Sequence, residues 1–334
     1  MDTPPPPNTT ALPTMPIRYL NKRRTTGTNS RRRRAPVRRR GGYRPKARGR
    51  RILRRRGGVS KRRMINMLSK KKRDIMLSAA ASGNNPAPDA TLSGNTIRIL
   101  ANTVSSSFLS GIHTFVFCPA QRYLVPNNAD FVAARTSTRP YYTGIAERYT
   151  LVPNDASLWW HRRVVFASKT LYAEAVTGLA GNGVIAAQSS ATTTTQRKFR
   201  DMSSDAGASY STLATALVTD MFAGIYTTDW NDPMRAKLDR ARITVLSDRL
   251  TTVKSGNDSS CPRICRHYTS INKTVVYQDE ENGVTMSVSP FSVTSKSGLG
   301  NIYVMDFFEC PAPIGTTTSS LYVSSEQTLY WHEK

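Results

Sequence analysis

The sequence predicts an all-β fold, a single antiparallel β-sandwich behind a basic arm, on three observations. From about residue 96 onward, short runs of aromatic and β-branched residues are separated by Gly, Pro, Asn or Asp, and helical periodicity between them is scarce. Upstream, apolar residues nearly vanish and like charges cluster. Eight runs at irregular spacing, with long loops such as AAQSSATTTTQRKFRDMSSDAGAS between them, favour an eight-stranded jelly roll.

The expected strands fall at 112–119, 145–153, 159–169, 217–226, 241–247, 270–278, 300–309 and 319–331. In NIYVMDFF, Ile302, Val304 and Phe308 share a face that Asp306 interrupts; in WHRRVVFAS, Val164 and Phe166 oppose Arg163 and Val165. Such alternation predicts half-buried strands. Adjacent Trp159 and Trp160 must point to opposite faces, which sends one to the core and leaves the other for an interface.

Ahead of the strands the chain divides into a proline-rich head (1–16), a basic nucleic-acid-binding arm (17–81) and a turn-rich linker (82–95), with the sandwich domain at 96–334. Head and arm are too polar and too charged to offset chain entropy by burial, so disorder before binding is expected. A short basic helix capped by Ser60 fits SKRRMINML, with Met64, Leu68, Ile75 and Met76 able to share a stripe. The simpler expectation is that Met67, Leu68, Ile75 and Leu77 tuck the end of the arm under the body.

The net charge of +26 is distributed very unevenly. Residues 1–73 hold 26 Lys and Arg against one acid, Asp2, whereas residues 74–334 hold 22 bases against 21 acids. A polycationic arm on a near-neutral body is a device for binding a polyanion, and the neutral body is free to pack against copies of itself. Between Arg31 and Gly58 the chain carries 14 arginines and one lysine without an acid, and Tyr43 is the single aromatic residue. That composition suits phosphate neutralisation better than base readout, and predicts sequence-tolerant, salt-dependent binding. The residues expected to contact nucleic acid are Arg31, Arg32, Arg33, Arg34, Arg38, Arg39, Arg40, Arg50, Arg51, Arg54, Arg55, Arg56, Lys61, Arg62 and Arg63. Lys70, Lys71, Lys72 and Arg73 match a short basic cluster read by a nuclear import receptor.

Several functions are not indicated. The first sixteen residues lack a signal-peptide pattern, and no window approaches eighteen consecutive apolar residues, so neither secretion nor a membrane-spanning helix is expected. Cys118, Cys261, Cys265 and Cys310 are too few for a disulfide framework, and CPRIC with His267 lacks the spacing of a zinc site. His113, His161, His267 and His332 sit in no catalytic motif, so no enzyme, cofactor or metal is expected. Two rivals stay open: a cellular nucleic-acid-binding protein with a basic tail, and an enzyme in which Asp229, Asp232 and Asp239 hold a metal.

The blocks GIAERYTLVPNDASLWWHRRVVF, DWNDPMRAKLDRARITVLSDRLTTVKSGN, INKTVVYQDEENG and the ending LYWHEK resemble the capsid protein of genomoviruses, small circular single-stranded DNA viruses. The resemblance spans roughly residues 112–334. Its most specific block runs from Asp229, Trp230 and Asp232 through Lys237, Asp239 and Asp248 to Ser255, Gly256 and Asn257, and a second block carries Lys273, Tyr277 and Asp279, then Gly298 and Gly300. It implies a jelly-roll subunit that forms a small icosahedral shell, sixty copies in the simplest case, around genomic single-stranded DNA, with assembly in the host nucleus. Arg249 and Asn301 depart from the family pattern, as does the length of the proline-rich head.

Overall fold

The computed structural model describes residues 60–81, 92–101, 109, 111–125, 132–172, 196–203, 208–256, 260–314 and 319–334. The head, the arm up to residue 59 and residues 82–91 of the expected linker lie outside them.

In chain order the elements are α1 (Lys61–Leu68), β1 (Lys70–Ala81), β2 (Leu92–Gly94), β3 (Thr96–Leu100), β4 (Ile112–Phe117), β5 (Tyr141–Pro153), β6 (Leu158–Ser168), β7 (Arg197–Phe199) and α2 (Ala208–Met221). They continue with β8 (Thr244–Val253), β9 (Arg263–Thr274), β10 (Glu280–Asn282), β11 (Thr285–Ser287), β12 (Asn301–Ala312) and β13 (Ser320–Glu333). Eight of these form the sandwich. One sheet runs β1-β13-β5-β9, the other β4-β12-β6-β8, and every neighbouring pair is antiparallel. Counting the eight principal strands from the N-terminus, the sheets read 1-8-3-6 and 2-7-4-5, so strand 1 pairs with 8, 2 with 7, 3 with 6 and 4 with 5. A long antiparallel ribbon rolled over two layers produces that order, and it is the jelly roll. Short β2 and β7 pair with β1, β3 pairs with β13, and β10–β11 form a small hairpin.

The sandwich starts earlier than the turn-rich linker predicts. Residues 70–81, expected to be arm, form β1 and pair with β13 from Lys70↔Glu333 to Leu77↔Glu326. Their inward positions are Lys72, Asp74, Met76 and Ser78, while Lys71, Arg73, Ile75 and Leu77 face outward. The usual apolar-in pattern is nearly inverted, which hides the strand. Met67, Leu68, Ile75 and Leu77 are all exposed, so the expected tuck under the body does not occur; Met76 makes that contact instead. The helix before β1 does form, with the Ser60 hydroxyl accepting from the Arg63 amide at 3.3 Å.

The expected strand at 217–226 is a second correction. Leu213, Ala214, Leu217, Val218 and Met221 are buried at three- and four-residue spacing, the period of a helix, and they belong to α2. The strands expected at 241–247 and 270–278 occupy 244–253 and 263–274. The alternation in β6 and β12 does not mark half-buried strands: nearly every residue of β4, β6 and β12 is buried, because α2 and the loop after it cover the outer face of this sheet. Phe222 lies 5.9 Å from Phe307, ring to ring, in that outer layer. Between the sheets, Phe115 meets Phe199 and Phe308 edge-on at 5.7 and 5.8 Å.

Candidate nucleic-acid interface

The cationic residues called from the sequence divide into three groups. Arg31 to Arg56 lie outside the described residues. Lys61, Arg62 and Arg63 form the first turn of α1. Lys70–Arg73 open β1, and there the strand pleat separates neighbours.

Lys72 points into the protein, 2% exposed. Its ammonium donates to the Ala134 carbonyl and the Thr136 hydroxyl, both at 2.8 Å, and pairs with Glu333 at 2.9 Å. All three donors are used. Burial pushes the Glu333 carboxyl up, but hydrogen bonds from Thr136, Lys72 and Trp331 outweigh it and hold the group below its ordinary value. Lys72 therefore anchors the first strand to the last and is withdrawn from the basic cluster expected to meet an import receptor. Lys70, Lys71 and Arg73 face solvent.

Those outward cations border a surface that the sequence reading missed. On the outer face of the first sheet, β1 contributes Lys71 and Arg73, β13 Tyr330 and His332, β5 Tyr141 and Arg148, and β9 Arg266 and Tyr268. Cations and rings lie side by side on this face, together with exposed Ile75, Leu77 and Ile264, a mixture of charge and rings of the kind found on surfaces that bind single-stranded nucleic acid. Sequence distance conceals this, since the contributing residues span positions 71 to 332. Only the strand registers bring them together.

Other sequence candidates are accounted for within the fold. Asp306 sits between the sheets, where it accepts from Tyr149 at 3.2 Å, lies 2.7 Å from His161 and pairs with Arg197. Glu147 pairs with Arg163 and Arg197. Every member of this cluster is at most 3% exposed. Burial alone would raise the Asp306 pKa; Arg197, with His161 and Arg163, overrides it and holds the carboxyl well below the carboxylate range. His113 likewise lies 2.6 Å from buried Asp201. The acids weighed as metal ligands shape loops: Asp229 accepts from the Ile225 amide, Asp232 from Met234 and Asp239 from Ala241, at 2.7, 2.7 and 2.8 Å. Asp248 takes Arg162 in a two-point pair at 3.0 and 2.8 Å. Cys265 is buried and Cys261 exposed. Trp159 is core, whereas Trp160 is partly buried beneath the Arg235 guanidinium, 5.8 Å from its ring.

The second block of the resemblance is also structural. Asp279 grips Arg135 at 2.6 and 3.1 Å, and that guanidinium lies 3.8 Å over the Tyr277 ring. Gly300 has φ +104°, and a Cβ there would stand 2.5 Å from the Ser168 carbonyl oxygen, so only glycine fits where β12 starts beside β6.

These features define a single jelly-roll domain with a cationic, aromatic outer face, preceded in sequence by a basic arm. No protein-family model and no curated protein matches the chain. Among solved structures, VP1 of Trichodysplasia spinulosa-associated polyomavirus aligns over 79% of this chain and 94% of its own, at 8% identity and a TM-score of 0.13. A likeness that slight establishes neither fold nor function; the strand order carries the fold.

Proposed function

We propose that this protein is a viral capsid protein of the genomovirus type, which assembles with copies of itself into a small icosahedral shell and packages circular single-stranded DNA. The observation that carries the proposal is the joining of an uninterrupted polycation to a complete jelly roll whose remainder is nearly neutral. A neutral sandwich tolerates dense packing against itself, while the arm offsets the repulsion of an enclosed genome. The 22 Lys and Arg and the one acid ahead of β1 leave +21 per arm, so sixty arms would bring about 1,300 positive charges, which matches a genome of about one to three kilobases at one charge per nucleotide. Arginine keeps that charge at any cellular pH. Assembly in the host nucleus is part of the proposal, with the basic residues ahead of Lys70 as the import signal in place of the cluster that includes Lys72.

The test is a deletion of residues 17–57, which leaves α1 and β1 intact. The truncated chain is expected to keep its β-rich circular dichroism spectrum and to assemble without protecting DNA from nuclease. Protection equal to that of the full chain would sink the packaging role of the arm.

A further inference from the structure

The outer face of the first sheet contains a groove of about 340 Å³, at the lower end of the range usual for small-ligand sites, about 300–1,000 Å³. Thr143, Ala146, Tyr268, Tyr330 and His332 line it, with Lys71 at its rim. Its floor is low where β5 carries the small Ala146, paired with Tyr268 of β9. A Cβ on Gly144 would stand 2.5 Å from the Tyr268 hydroxyl, so the Tyr268 ring lies across bare backbone. The register also shifts at this point in both flanking pairs, between Tyr330 and Trp331 and between Tyr142 and Gly144. Paired irregularities of this kind re-aim side chains, and they cluster beside binding sites.

The polar groups around the groove have one sign. Lys71 and Arg73 are outward on β1, and Arg266 is outward on β9. One row beyond Ala146, Arg148 stands 4.0 Å from Glu326, the acid of this part of the face. Partial burial, then the Lys71 ammonium, hold His332 below its ordinary pKa, so at neutral pH it presents an uncharged ring. Aromatic walls, a shallow floor and a cationic rim suit a flat aromatic base linked through its sugar to a phosphate.

We infer that this groove is a second, folded DNA contact, which holds one unpaired nucleotide of a single strand with its base against Tyr268 and Tyr330 and its phosphate beside Lys71 and Arg73. The inference rests on the packaging role proposed above. It separates two tasks: the arm neutralises charge without order, and the sandwich fixes a nucleotide in each subunit. The groove opens on the strand that directly follows the arm, with residues 61–69 between the last arm residues and its rim. Duplex DNA, whose bases are already stacked, is excluded from such a site.

The test is ultraviolet cross-linking of the full-length chain to oligothymidylate, with mass spectrometry to locate the adduct. The expected adduct lies on Tyr268 or Tyr330. A Tyr268→Ala/Tyr330→Ala double variant is expected to lose it, and at high salt to bind oligothymidylate about fivefold or more weakly, while Tyr268→Phe keeps the wild-type affinity. Lys71→Ala should instead flatten the dependence of log affinity on log salt by about 0.7. Tyr268 is 55% exposed, so its removal leaves the fold intact, which matching unfolding curves will confirm. Adducts confined to residues 1–59, or wild-type affinity of the double variant at high salt, would overturn the inference. Failure of the wild-type chain to bind oligothymidylate at all would overturn the packaging reading itself.

Discussion

The two sheets of the sandwich are built from the same number of principal strands but meet opposite surroundings. In the sheet β4-β12-β6-β8, strands β4, β12 and β6 are covered on both faces, by the other sheet and by α2 with its following loop, while the edge strand β8 stays largely open. The sheet β1-β13-β5-β9 buries one face and leaves the other to solvent, with Lys71, Arg73, Tyr268 and Tyr330 on it. A sheet buried on both sides supplies rigidity, and an open sheet face is where a partner can be met. The difference leaves the outer face of the first sheet as the open surface, and it is there that the proposed nucleotide contact falls.

The largest effect expected from breaking this contrast comes from the charges between the sheets. Asp306→Ala strips Arg197 and His161 of their shared partner and should cost about 3–5 kcal/mol in urea unfolding, because it leaves buried charge uncompensated. Because the Asp306 pKa is depressed in the folded state, the stability it contributes is present above about pH 4 and is lost as the pH falls further.

Adjacent lysines on one strand sharpen the contrast. Lys72→Ala leaves Glu333 buried without its cation and should also cost about 3–5 kcal/mol. Lys71→Ala, on the open face, should change stability by about 0.5 kcal/mol or less. In the apolar layers, Phe222→Ala under the covered sheet should cost about 3–5 kcal/mol, while Leu77→Ala on the open sheet should again stay within about 0.5 kcal/mol. Equal losses in the lysine pair would erase the distinction between the two faces of the first sheet, and equal losses in the apolar pair the distinction between the sheets.

The smallest effect is a pH dependence at the edge of the covered sheet. Burial, then the nearby Asp232 carboxylate, raise the Glu309 pKa from 4.5 to about 7. Between those values the folded protein holds a proton that the unfolded chain has released, so this group's contribution falls as the pH rises through that window. Glu309→Gln should therefore raise the unfolding midpoint at pH 8 and leave it unchanged at pH 5.

The contrast between the sheets also explains what could be read from sequence. The aromatic and β-branched runs at 112–119, 159–169 and 300–309 were visible because strands buried on both faces are nearly continuously apolar. Strand β1 was not, since its inward Lys72 and Asp74 are satisfied by Glu333 and Arg122, residues that no local pattern connects to them. The strand expected at 217–226 overlooks the helical spacing of Leu213, Leu217 and Met221. The arm was legible from charge alone. The groove was not, because Lys71, Gly144, Tyr268 and Tyr330 meet only through the registers of four strands.

The central claim, that a self-packing jelly roll carries a DNA-condensing arm, is tested most directly by size-exclusion chromatography with light scattering and absorbance at 260 and 280 nm, at low and high salt. A monodisperse, megadalton-sized particle that contains nucleic acid is expected. A small species that binds nucleic acid only at low salt would contradict the claim and identify a cellular binding module instead.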